Sequence, residues 1–209
     1  MTTKTIAMLY DHYDDAAQTV RDLEAAGIGR DHVSIVASNV DNRYMPADVA
    51  AKDATTASGA GTGASIGAAL GGGAGLLAGI GVLAIPGVGP VVAAGWLIAT
   101  LVGAAAGAGI GAASGGLVDA LTSTGTPADH AHVYAEGVRR GGTLVTVRVD
   151  ETQAAQATSI MRKGNPVDPE LRGQAYREGG WKAFDPAAKP LSTVELERDR
   201  ALYSRPRAA

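Results

Sequence analysis

From Ala54 to Val118 the chain carries no charged side chain. Uncharged surface on that scale is not left open to water by a lone soluble protein, so it must be hidden. Within it, Gly59, Gly63, Gly67, Gly71, Gly75 and Gly79 recur at every fourth position. Gly95, Ala99, Gly103, Gly107, Gly111 and Gly115 do the same further on. This is the G-x-x-x-G pattern sustained on two arms. Small residues along one ridge let helix backbones approach closely and cross. Between the arms, Pro86-Gly87-Val88-Gly89-Pro90 breaks any helix and predicts a reversal. The expectation is a helical hairpin. Its first arm, Ala64–Ile85, reaches about 33 Å as a helix, enough for a hydrocarbon core of about 30 Å. Glycine costs about 1 kcal/mol per residue in an exposed helix interior. Such arms therefore need lipid or a packed partner.

The large aliphatic residues crowd between Leu76 and Val102, around the reversal, and no Lys, Arg, Asp or Glu holds that tip in water. The tip is expected to end within lipid or against copies of itself. A flexible linker is disfavoured by Ile66, Leu70, Leu76, Leu77 and Ile80, which thread the block. Fits to G-x-G-x-x-G occur, but none lies between a strand and a helix and no G-K-[ST] follows, so a nucleotide loop is not indicated.

The flanks are of a different kind. In Lys4–Tyr10, Ile6, Met8 and Tyr10 alternate to one face of a predicted strand. Asp14 and Asp15 are placed to open a helix as cap and first-turn acid. That helix carries Ala17, Val20 and Leu23 and stops at Gly27. His32–Ser38 predicts a second strand. After the block, Thr126-Pro127 predicts a helix start, with Thr126 as cap. The helix runs to about Arg140. Thr143–Asp150 is a strand with Val145, Val147 and Val149 on one face. Glu151 to about Lys163 is a helix, and a short last strand is expected near Val167. The stretches LYDHYDDAAQTVRDL and VRVDETQAAQATSIM match each other across a one-residue gap. They suggest two β-α-β halves of one α+β, ferredoxin-like domain. The divisions follow: 1–53 the first half, 54–123 the glycine-zipper hairpin, 124–168 the second half, and 169–209 an extended or disordered charged tail. In that tail, Tyr176, Trp181 and Phe184 are anchors for clamping a neighbouring surface, and Ser192 or Thr193 is placed to cap a short helix through Tyr203.

Those same segments carry a resemblance. LYDHYDDAAQTVRDLEAAGIGRDHVSIVA, then LAIPGVGPVVAAG, then TPADHAHVYAEGVRRGGTLVTVRVDETQAAQATSIMR resemble a bacterial family of general-stress or heat-induced-stress proteins, commonly labelled as predicted membrane proteins. The resemblance spans about Lys4 to Lys163. It implies a stress-related role and a membrane setting, and brings no catalytic residues.

No catalytic constellation emerges. His130 and His132 are two apart on a predicted helix, so they do not share a face. Cysteine is absent, and there is no H-E-x-x-H, so no metal site is expected. Asp11, Asp14 and Asp15 read as turn and helix-start residues rather than an acid–base pair. Ser38, Ser65, Ser114 and Ser123 lack the G-x-S-x-G setting. Arg139-Arg140 and Arg162-Lys163 read as cations near helix C-termini rather than a patch for anionic lipid. A net charge of -3 does not suggest nucleic-acid binding. No cofactor and no small-molecule substrate are expected, and the N-terminus lacks an apolar run of signal-peptide length. The sequence therefore predicts a non-enzymatic protein that associates with itself and with a lipid bilayer. It is expected at a bacterial inner membrane with both termini cytoplasmic. The alternative is a cytoplasmic homo-oligomer whose hairpins share a core.

Overall fold

A computed structural model describes residues 3–41, 81–98, 100–101 and 116–203. It is mixed α+β, built on one five-stranded sheet in the order β1-β5-β2-β4-β3. Its strands are β1 (Thr3–Tyr10), β2 (Val33–Ser38), β3 (Gly81–Ile85), β4 (Gly89–Ala94) and β5 (Thr143–Asp150), and every neighbouring pair is antiparallel. The helices are α1 (Tyr13–Ala25), α2 (Leu117–Ser123), α3 (Ala128–Arg139), α4 (Glu151–Lys163), α5 (Pro169–Glu178) and α6 (Thr193–Tyr203).

Alternation in β1 and β5 sorts the core into two layers. Ile6, Met8 and Tyr10 share a face with Val145, Val147 and Val149, and this face packs on Ala16, Val20 and Leu23 of α1 and Ala154, Ala157 and Met161 of α4. Leu9, Val36 and Leu144 point the other way, onto Leu117 and Leu121 of α2 and Ala131, Tyr134, Ala135 and Val138 of α3. The two similar sequence stretches are β1–α1 and β5–α4: their strands pair along their whole length and their helices cover the same face. Two helix starts differ from expectation. His12 is the N-cap of α1 with Asp14 and Asp15 both in the first turn, and Pro127, not Thr126, caps α3. Val167 is not in a strand, yet its N–H donates to the Leu9 carbonyl at 2.7 Å along the outer edge of β1.

The expected helical hairpin is corrected where the chain is described. Residues 81–94 form a β-hairpin that extends the domain's own sheet. The reversal is where the sequence places it, but its form is a β-turn. Val88 N–H donates to the Ile85 carbonyl at 3.0 Å. Pro86 takes the second position and Gly87, at φ +77°, the third, the preferences of a type II turn. The reason lies in the neighbours of the glycines. Ile85, Val88, Val91 and Val92 are β-branched and lose less in a strand than in a helix. Val91 then buries on one face of the sheet and Val92 on the other. Ile85, Val88, Val91 and Val92 thus belong to the protein's own core.

The expected extended tail is corrected too. Asp168 caps α5, accepting from the N–H groups of Glu170 and Leu171 at 2.9 and 3.0 Å, with Pro169 at the first helical position. Ser192 and Glu195 close the start of α6, the Glu195 carboxylate accepting from the Ser192 N–H at 2.9 Å and the Ser192 hydroxyl oxygen accepting from the Glu195 N–H at 3.4 Å. That reciprocal pairing is a capping box. Tyr176, Phe184 and Leu196 are buried by this segment.

Candidate functional site

Of the glycines expected to build helix contacts, Gly95 is described; Gly59, Gly63, Gly67, Gly71, Gly75, Gly79, Gly103, Gly107, Gly111 and Gly115 lie outside the described residues. Gly95 follows β4 at φ +96°. A methyl group there would run into the Val33 carbonyl and lie 2.5 Å from Ser34 Oγ. Its closeness is to strand β2, not to another helix. It lets the chain turn over β2 and enter a helical turn at Trp96, where the Leu97 N–H donates to Ser34 Oγ at 2.9 Å.

Of the turn residues Pro86, Gly87, Gly89 and Pro90, the two prolines are exposed, and the two glycines lie against the C-terminal segment. A methyl on Gly87 would stand 2.5 Å from the Asp185 carbonyl and 2.9 Å from the Phe184 ring, and one on Gly89 would stand 2.8 Å from Pro190. The Phe184 ring joins Ile85 and Val88 in the core.

Beside this seat is a part-buried ionic cluster. Glu136 of α3 is 2% exposed. Its Oε1 accepts from Arg139 Nη1 at 3.1 Å and Arg140 Nε at 2.6 Å. Arg140 Nη1 donates to Asp199 of α6 at 2.7 Å, and Arg200 Nη1 to Asp41 at 2.6 Å. Arg172 of α5 donates to both oxygens of Asp11 at 2.9 Å and to the Tyr203 carbonyl at 2.7 Å. The Tyr176 ring lies between the cations, 4.7 Å from Arg140 and 5.8 Å from Arg172, and meets Tyr203 edge-on at 5.0 Å. Arg139-Arg140 is thus neither a lipid patch nor only a helix-end charge: it is the centre of this cluster. Each carboxylate of the cluster takes at least one guanidinium, and three of these pairs tie the C-terminal segment to the body of the domain.

Burial pushes the Tyr176 phenol up to about 12, against the downward pull of Arg172 and Arg140. It also pushes Tyr134 up to about 12, with the Asp168 charge adding to it. Both phenols hold their protons more tightly in the folded chain than at the unfolded value of about 10. Their contribution is therefore fully present below pH 10 and is lost as pH rises towards 12. Each two-unit difference corresponds to about 3 kcal/mol. Alkaline titration followed at 295 nm should show these tyrosines ionising together with loss of near-UV circular dichroism in that window. Ionisation near pH 10 with the fold intact would contradict the burial of both rings.

A shallow cleft of about 270 Å³ opens at the far edge, lined in part by Asp31, His32, Arg148 and Asp150. Its charges are mixed in sign and set no common direction for a ligand. Among the described residues no group of three or more His, Asp or Glu side chains is placed to hold a metal ion, and no helix is long and apolar enough to cross a membrane.

No known family model, curated protein or solved structure matches this chain.

Sequence reasoning located the turn and named the aromatic anchors, but missed the ionic cluster. Its pairs join residues as distant as Asp11 and Arg172, and nothing in local spacing announces them. The one local sign was Glu136 beside Arg139 and Arg140, an i,i+3 and i,i+4 set.

Proposed function

We propose that this is a non-enzymatic, self-associating protein in which a folded α+β platform presents charge-free glycine-ladder segments to copies of itself. The observation that carries the reading is where those segments join the platform. Gly81 pairs with Ala93, and the described stretches next to the remaining glycine period end at Leu101 and begin again at Gly116, just before Leu117. Ala93, Leu101 and Leu117 all belong to one apolar cluster. In sequence, residues 54–80 lead into Gly81, and residues 102–115 lie between Leu101 and Gly116. Their sequence keeps the glycine period and no charge, a composition suited to close backbone contact.

The platform itself we read as ferredoxin-like, interrupted between β2 and α3. The reading is supported by β5 lying between β1 and β2, by α1 and α4 on one face, and by Val167 bonding where an outer strand would lie. A stress-related role and a bacterial setting rest on the family resemblance alone. Contact with a bilayer is the second reading, favoured by Ile66, Leu70, Leu76, Leu77 and Ile80 in an uncharged run.

Expression without detergent, followed by membrane pelleting and native sizing, tests both. A discrete soluble particle larger than one chain supports self-association, and carbonate-resistant pelleting supports the bilayer. Gly71→Leu and Gly107→Leu should break the particle, whereas Ala69→Leu, off the ladder, should be milder. Equal behaviour of the two classes would remove the ladder from the argument.

A further inference from the structure

We propose that the C-terminal segment 169–203 is a releasable strap that seals an apolar surface at the β3–β4 turn, and that its release admits a second copy of this chain. The inference rests on the self-association reading above.

The strap and the turn are shaped to each other. Gly87 and Gly89 have no side chain where the strap backbone and Pro190 pass, and Phe184 plugs the space beside Ile85 and Val88. Three ion pairs and three buried side chains hold the strap. Arg172 reaches Asp11, Asp199 reaches Arg140, and Arg200 reaches Asp41, so three ion pairs each join one strap residue to one body residue. Arg139 adds a hydrogen bond to the Lys189 carbonyl at 3.1 Å. Its apolar hold is three buried side chains, Tyr176, Phe184 and Leu196. None of its described backbone joins the sheet, and a terminal segment held by a few discrete side-chain contacts is the kind that opens without global unfolding.

The position of the strap gives its opening a consequence. It covers Ile85 and Val88, and Arg200 grips Asp41, the last described residue before the segment that leads into the charge-free block. Opening uncovers an apolar turn and frees Asp41 from Arg200 in one step. The chain is its own fitting partner for the uncovered surface, because each copy carries both the turn and a complementary Phe184 strap.

The chain has no native cysteine, which allows a matched test on the full-length protein. Asp41→Cys with Arg200→Cys removes one ion pair, and a short flexible bismaleimide between the two thiols then restores the closure. Before cross-linking, tryptic cleavage after Lys182 should be about tenfold faster than in the parent, the effect of losing one charge-assisted contact on an opening equilibrium. Sedimentation velocity should show a larger fraction of assembled chains. After cross-linking, both readouts should return to the parent level. Phe184→Ala provides a second route to opening that leaves every charge in place: cleavage should again be faster, but assembly should not rise, because the side chain that seats on the second copy's turn is gone. Cleavage unchanged from the parent in both variants would overturn release. Faster cleavage with the same assembly size before and after cross-linking would overturn the coupling to self-association. In the second case Gly71→Leu in the parent tells the two claims apart: a smaller particle keeps the glycine-ladder reading and removes only the strap, and an unchanged particle removes both.

Discussion

Gly95→Ala is expected to cost about 3 kcal/mol or more, and to lower the melting temperature by roughly 10 °C for a chain of this size. The added methyl meets the Val33 carbonyl and lies 2.7 Å from Ser34 Cα, both parts of the β2 backbone, which has no side-chain rotation to offer in relief. The φ of +96° adds a conformational cost of its own. Gly27→Ala separates the two contributions. Gly27 also has a positive φ, +86°, but nothing lies within 4 Å of an added methyl, so about 1 kcal/mol is expected there. Thermal melts of the two variants beside the parent make the comparison. The same result distinguishes a strand end from a helix ladder. In a ladder, alanine would replace glycine with little harm and better helix propensity. A neutral or stabilising Gly95→Ala would therefore contradict the packing of this residue on β2.

The second large effect is expected at Glu136. Removing its carboxylate as Glu136→Ala leaves Arg139 without its acidic partner and Arg140 with Asp199 alone, in side chains only 16% and 17% exposed. Stranding part-buried cations in this way costs about 3–5 kcal/mol. Glu136→Gln keeps an oxygen for the two guanidinium groups and should lose roughly half as much, in line with the smaller worth of a neutral acceptor. Urea unfolding measures both. The contrast is with Arg30→Ala, which breaks a pair with Glu24 in which the arginine is half exposed, and should change stability by less than about 1 kcal/mol. Equal losses at the two places would show that burial of the α3 cluster has no energetic weight.

The parts of the fold that were legible in the sequence are those in which one physical signal dominates. Ile6, Met8 and Tyr10, and Val145, Val147 and Val149, alternate cleanly, and both strands pair along their whole length. β3 and β4 gave no such signal. The sheet is covered on both faces, so Val91 and Val92 are both buried and alternation vanishes. Meanwhile the period-four glycines pointed to helices, and Gly95 shows how that count misleads: it keeps the period but serves a turn over β2. The tail was obscure for the opposite reason. Its charges looked solvated, yet Arg172, Asp199 and Arg200 face inward onto acids and a base from remote parts of the chain. Its aromatic residues were the better guide, and Tyr176 and Phe184 are buried.

The place of β5 at the heart of the sheet has a consequence for how the protein is made. β1 and β2 emerge from the ribosome first, but they do not pair with each other: both pair with β5, which brings Thr3 opposite Asp150. β3 and β4, within the charge-free block, have β2 to join beforehand, but β1 has no strand partner, and the sheet stays in two pieces, until β5 has been synthesised. Closure over so long a separation is slow, and uncovered apolar chain is most prone to stray association during that interval. The C-terminal segment arrives later still. For this protein, the rate of translation and the attendance of chaperones should weigh as heavily on the yield of native material as the stability of the finished fold.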